Sequence, residues 1–176
     1  SVEYSEYGQT TEDVTLVIKS DVELYDYAWF GWEMSDNKKE ITRTFSNNTS
    51  GTISISTQES FDNRSAENPV QTVQVQYTVE NIDRTNPTCT VEYSTNETTK
   101  GAVTATIWAD EEIELVTDVN NFVSKITDID ENGNVIYGIS LHFPDNQVKE
   151  VQVEDLAGNT VTVTIDINNI DNNVDG

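Results

Sequence analysis

One cysteine, one histidine and nine basic residues among 176 are scarcities, and each excludes something. Cys89 has no partner within the chain, so no internal disulfide can form. Nine Lys and Arg against 32 Asp and Glu leave a net charge of −23. Phosphate recognition needs a basic face, so nucleic acid is excluded as a partner. An anionic membrane surface is disfavoured for the same reason. No apolar run approaches the roughly 20 residues of a membrane span, so the chain is not expected to insert in one. There is no glycine-rich phosphate loop, no Cys/His metal cluster and no nucleophile elbow. The single histidine, His142, lies between Leu141 and Phe143, where alternation turns it outward. Carboxylate pairs could serve a glycosidase, but with this many acids close pairs arise by chance. The expectation is a chain that is not an enzyme, kept soluble and monomeric by its charge.

What is present is repetition. Val73-Gln74-Val75-Gln76-Tyr77-Thr78-Val79 alternates apolar with polar residues and closes on Asn81-Ile82-Asp83. Val161-Thr162-Val163-Thr164-Ile165-Asp166-Ile167 does the same and closes on Asn169-Ile170-Asp171. Period-two alternation marks a strand with one buried and one wet face. The starts match too: Val2-Glu3-Tyr4-Ser5 returns as Val91-Glu92-Tyr93-Ser94, and Asp13-Val14-Thr15 answers to Ala102-Val103-Thr104. A fixed offset carried from end to end means two copies of one module. The expected division is module one over 1–83, a linker over 84–87 ending at Pro87, and module two over 88–176. Proline holds the residue before it extended, so the linker reads as semi-rigid. Residues 172–176 resemble the start of another linker, so we expect a longer array of similar modules.

Within module one, strands are expected over 2–5, 13–19, 40–45, 52–57 and at the close. Arg43 interrupts the apolar face of 40–45 between Ile41 and Phe45, which points to a sheet edge or to a stem reaching out to water. Asn47-Asn48-Thr49-Ser50-Gly51 reads as a turn, and 58–69 as a long polar loop. In module two, strands are expected over 90–94, 102–109, 121–128, 135–143 and around Val148, Val151 and Val153, with a short edge segment over 113–116. Asn132-Gly133 between two apolar runs signals a hairpin. No amphipathic helix is evident. Short strands punctuated by turns every 8–12 residues give an all-β fold, a β-sandwich per module.

The chain resembles the tandem bacterial Ig-like domains of Gram-positive surface and secreted proteins. The residues that carry this are Val91-Glu92-Tyr93-Ser94, Gly31-Trp32, Asp155-Leu156-Ala157-Gly158-Asn159 before the last strand, and Asn81-Ile82-Asp83-Arg84-Thr85-Asn86-Pro87 at the junction. The likeness implies two tandem Ig-like β-sandwiches, without the inter-sheet disulfide that one cysteine cannot form. It implies an extracellular or cell-surface stalk, spacer or adhesin repeat whose nearest partners are neighbouring modules of the same chain. An accessory domain of a large secreted glycoside hydrolase is a further alternative. Module one lacks the Asp-x-x-Gly-Asn turn, and module two lacks Gly-Trp.

Three groups of residues invite a binding role. Tyr25, Tyr27 and Trp29 would share one face if their stretch is a strand, giving an aromatic row for a glycan or host protein; packing within the chain is the alternative. Asp128, Asp130 and Asn132 match the opening of a calcium loop, but its twelfth position is Ile139 rather than Glu, and a hairpin turn explains the same residues. Glu80, Asp83 and Asp110 near the module junction, with Asn81, Glu111 and Asp155, are a second candidate for calcium. No cofactor is required by this reading.

Overall fold

A computed structural model of the chain describes residues 1–26 and 30–173. Its internal contacts divide it into two compact units, Ser1–Asp83 and Arg84–Gly176. The regular structure of the described residues is antiparallel β-sheet, with one short helix.

The first unit contains β1 (Val2–Tyr4), β2 (Val14–Lys19), β3 (Glu33–Met34), β4 (Glu40–Phe45), β5 (Thr49–Ile55), α1 (Gln58–Asp62) and β6 (Val73–Val79). One sheet runs β1-β2-β4-β3, and β5 pairs with β6 in the other. Leu24 forms an isolated antiparallel bridge to Thr57, alongside the continuation of β5. Alternation explains the burial. Val14, Leu16 and Ile18 of β2 and Ile41 and Phe45 of β4 enter one core with Leu24, Ile53 and Val79. Removing such side chains from water is worth about 1.5–3 kcal/mol each.

The second unit contains β7 (Cys89–Tyr93), β8 (Val103–Ala109), β9 (Ile113–Leu115), β10 (Val123–Ile129), β11 (Val135–Phe143), β12 (Gln147–Asp155) and β13 (Thr160–Ile167). Its sheets run β10-β11-β8-β7 and β13-β12-β9. Read from the first strand, the four-stranded order is first, second, fourth, third, as in the first unit. The bridge at Leu24 stands where β9 stands. Each unit is therefore β-sandwich-like, and the two share one connectivity. Val103, Ala105, Ile107, Ile139, Leu141 and Phe143 from one sheet meet Val151, Val153, Val163, Ile165 and Ile167 from the other.

The repeated motifs have a physical reason. The irregular segment after β1 has carbonyls that need donors. The Asn81 side-chain amide, with two N–H groups, donates to Glu6 O at 3.0 Å and Gly8 O at 2.8 Å. Asn169 does the same to Thr95 O at 3.0 Å and Glu97 O at 2.9 Å. Asn81 O and Asp83 N–H bracket Thr10, as Asn169 O and Asp171 N–H bracket Thr99. Ile82 and Ile170 each exchange two hydrogen bonds with a side-chain amide, from Asn48 and Asn146 respectively. At the start, Ser5 and Ser94 accept from Thr15 N–H and Thr104 N–H. The Tyr4 and Tyr93 hydroxyls accept from Thr78 N–H and Asp166 N–H on the last strand. Val-Glu-Tyr-Ser and Asn-Ile-Asp thus fasten the start of each unit to its end.

Several local expectations are corrected. The turn assigned to 47–51 is confined to 46–48, because Thr49, Ser50 and Gly51 already belong to β5. Gly51 is a strand glycine: its cross-strand partner Tyr77 occupies the space a Cβ would need. Asn48 is used for its amide on Ile82. The loop over 58–69 opens with α1, whose N-cap Thr57 accepts from Ser60 N–H. The strand placed at 121–128 is β10, two residues later at its start. Val148 is exposed, since Val151, Val153 and Asp155 take the inward register. Arg43 is half-buried beyond the two residues paired by β3, with its guanidinium 4.8 Å from the Phe45 ring centroid.

Candidate functional site

The outer face of the β10-β11-β8-β7 sheet carries an open concavity. Because Val103, Ala105 and Ile107 point inward, Thr104, Thr106 and Trp108 point outward. The ladder sets Thr90, Trp108, Gly138 and Ile126 side by side across four strands. Gly138 is what lets the indole lie on the sheet. A Cβ there would meet Trp108 Cζ3 at 2.8 Å, Cε3 at 2.9 Å and Ile126 Cγ1 at 2.9 Å. In strands, such a glycine marks the close approach of another group. The adjoining row brings Ile136 opposite Asp128, and Asp110 follows β8 on the same side. Thr88, Thr90, Glu92, Trp108, Asp110, Asp128 and Ile136 line a depression of about 480 Å³.

Asp128 is exposed, and its carboxylate accepts from Ile129 N–H at 2.8 Å. Asp130 is a turn residue. Its Oδ1 accepts from Asn132 N–H and Asn134 N–H, both at 2.9 Å, and Gly133 takes φ +84°. Asp155 repeats the device: Oδ1 accepts from Ala157 N–H and Asn159 N–H at 2.9 Å, and Gly158 takes φ +97°. Asp-x-x-Gly-Asn is one turn used at two hairpins, at 130–134 and 155–159. Asp155 is buried, which pushes its carboxyl pKa up. The Asn159 side chain and backbone, then Glu111 and the Ala157 backbone, outweigh burial and hold it below the usual value.

Glu80 and Asp83 belong to the first unit and Asp110 to the second. Glu80 lines a shallow depression with Tyr4, Tyr7 and Asn81, and Asp83 N–H is held by Thr10 O. Tyr25 is not in a strand. It stacks on Phe61 at 3.8 Å and 17°, and the Arg64 guanidinium lies 3.8 Å from the same ring, so both faces of Phe61 are covered. Tyr27 and Trp29 lie outside the described residues. Trp32 packs edge-on against Phe45 and Tyr77, beside the core. Cys89 is half-buried. Burial first, then the Asp110 and Glu111 carboxylates, push its thiol pKa up, so it is protonated at neutral pH and a poor nucleophile. His142 is exposed.

Sequence reasoning missed Trp108, although the signal was present: alternation over 103–109 turns Trp108 outward once Ile107 is inward. No family model, curated protein or solved structure matches the chain.

Proposed function

We propose that the chain is a non-enzymatic tandem of Ig-like modules from a larger bacterial cell-surface or secreted protein, acting as a stalk, spacer or adhesin repeat. The observation that carries this reading is where the chain comes into and leaves each unit. Ser1 lies beside Lys19 at the C-terminal end of β2, and Ile82 lies beside Thr10, before the N-terminal end of β2. Cys89 pairs with Ala109 at the end of β8, and Ile170 pairs with Thr99, before β8 begins. Each unit thus passes the chain from one end of a strand to the other, about 20 Å at the rise of a strand. That suits modules strung head to tail. The last segment of each unit bridges in parallel to the loop after the first strand, so a pull on the ends loads these hydrogen bonds lengthwise.

Stretching single molecules of the chain tests this. Two resisted unfolding steps are expected, the 83 residues of Ser1–Asp83 releasing about 27–30 nm of contour before the folded length is subtracted. Extension without resisted steps would remove the stalk reading. Calcium enters as the ion the acidic surface invites: melting in calcium and then in chelator decides it, and equal midpoints remove it.

A further inference from the structure

We propose that the Trp108 depression receives the guanidinium or ammonium side chain of a partner protein. This stands on the second unit alone and holds whether or not the chain is a stalk. The floor supplies an indole, and cations are drawn to the face of an indole more than to any other side-chain ring. The walls supply three carboxylates, Glu92, Asp110 and Asp128, with no Lys, Arg or His among the lining residues. A neutral ligand would leave their mutual repulsion in place, whereas a cation relieves it. Ile136 offers apolar surface for the methylene stem, and Thr88 and Thr90 offer hydroxyl acceptors for the remaining N–H groups.

The geometry also separates an organic cation from a metal ion. The ladder spaces the acids across the sheet, Glu92 and Asp110 on opposite sides of the Trp108 row and Asp128 beyond Ile136. Their oxygens do not gather within the 4.8 Å of one another that a shared metal would require. A planar guanidinium, with five donors and weak hydration, spans such a spread. Gly138 is the positioning residue: a side chain there would lift the indole from the sheet.

The test is titration of the whole chain at physiological salt with a blocked Gly/Ser peptide carrying one arginine. The same peptide with citrulline, which has the same shape and no charge, runs beside it. Binding is read from the indole N–H resonances. Movement of the Trp108 resonance by arginine and not by citrulline is expected. D110N with D128N, both exposed, should weaken binding about tenfold. D36N with E67Q, exposed acids of the first unit, makes the same change in net charge and should leave binding unchanged. Equal loss in the two pairs would reduce the effect to bulk charge and overturn the site. Equal response to citrulline, or movement of Trp108 by neutral oligosaccharides instead, would overturn the cation. W108L should abolish the arginine-dependent movement of the Thr90 and Ile136 backbone amide resonances that the parent shows, and movement kept in W108L would overturn the site; if that variant does not fold, the two acid pairs still decide.

Discussion

The two units share connectivity and closing hydrogen bonds, yet they build their interiors differently. Among the described residues, the second unit buries fourteen apolar side chains in one cluster, with Phe143, Ile107, Ile139, Leu141 and Ile165 almost wholly dry. The first buries eight and packs half-buried aromatics against them: Trp32 and Tyr77 lie edge-on at 5.6 Å, and Tyr77 lies 5.4 Å from the buried Phe45. A full β9 in one unit is a single bridge at Leu24 in the other. The comparison separates what the fold needs from what fills it. The closure by Tyr-Ser and Asn-Ile-Asp is kept twice, whereas the packing behind it is reached by two routes. The smaller core should open first in denaturant, since apolar burial is the main stabilising contribution.

The strongest way to sharpen that difference is to cut each core. Phe143→Ala should cost the second unit about 3–5 kcal/mol, and Leu16→Ala should cost the first about 2–5 kcal/mol. Hydrogen exchange of β8 and β2 amides reads the two units separately. L16A should widen the gap between them, and F143A should close it. Protection lost equally in both units for either variant would mean that the chain unfolds as one body.

A smaller effect tests the shared closure. Asn81→Ala and Asn169→Ala each remove two hydrogen bonds to loop carbonyls. At about 0.5–1.5 kcal/mol per bond, each should destabilise its own unit by roughly 1–3 kcal/mol. The two costs should agree although the cores differ. A cost confined to one unit would break the equivalence.

Much of this was readable before any coordinates. Alternation placed β2, β8 and β13 and their inward residues, because one buried face is what a period of two encodes. The repeated Asn-Ile-Asp was legible as a motif, though only the contacts show that the asparagine is there for its amide. What was hidden depends on partners far away in sequence. Gly51 looks like a turn residue until Tyr77 is seen across it, and Tyr25 looks like an open platform until Phe61 covers it. Trp108 could be assigned to the outer face by counting, but the depression also needs Gly138, thirty positions on, and register across strands is not written in either strand alone. At 130–134, Asp130 holds its own turn backbone, as Asp155 does at 155–159, which alternation alone does not reveal.

The smallest predicted effect comes from the turn that the first unit lacks. Asp155 is charged in the folded second unit because Asn159, Glu111 and Ala157 outweigh the burial that would neutralise it. Its folded pKa therefore lies below the 3.8 of an ordinary aspartate. A group depressed in this way contributes stability that is fully present above the unfolded value and is lost as pH falls through the folded one. The second unit should thus lose stability in that acid window by an amount that Asp155→Asn removes. Melting followed by exchange of β12 and β13 amides, from about pH 5 down to pH 2, measures it. The variant should be less stable than the parent at pH 5, and the gap should shrink as the parent aspartate protonates. The first unit, whose β5 and β6 have no Asp-x-x-Gly-Asn hairpin between them, should show the same acid profile in both proteins. A gap that stays constant with pH would mean that the side chain acts by shape and not by charge, and it would remove the acid asymmetry between the units.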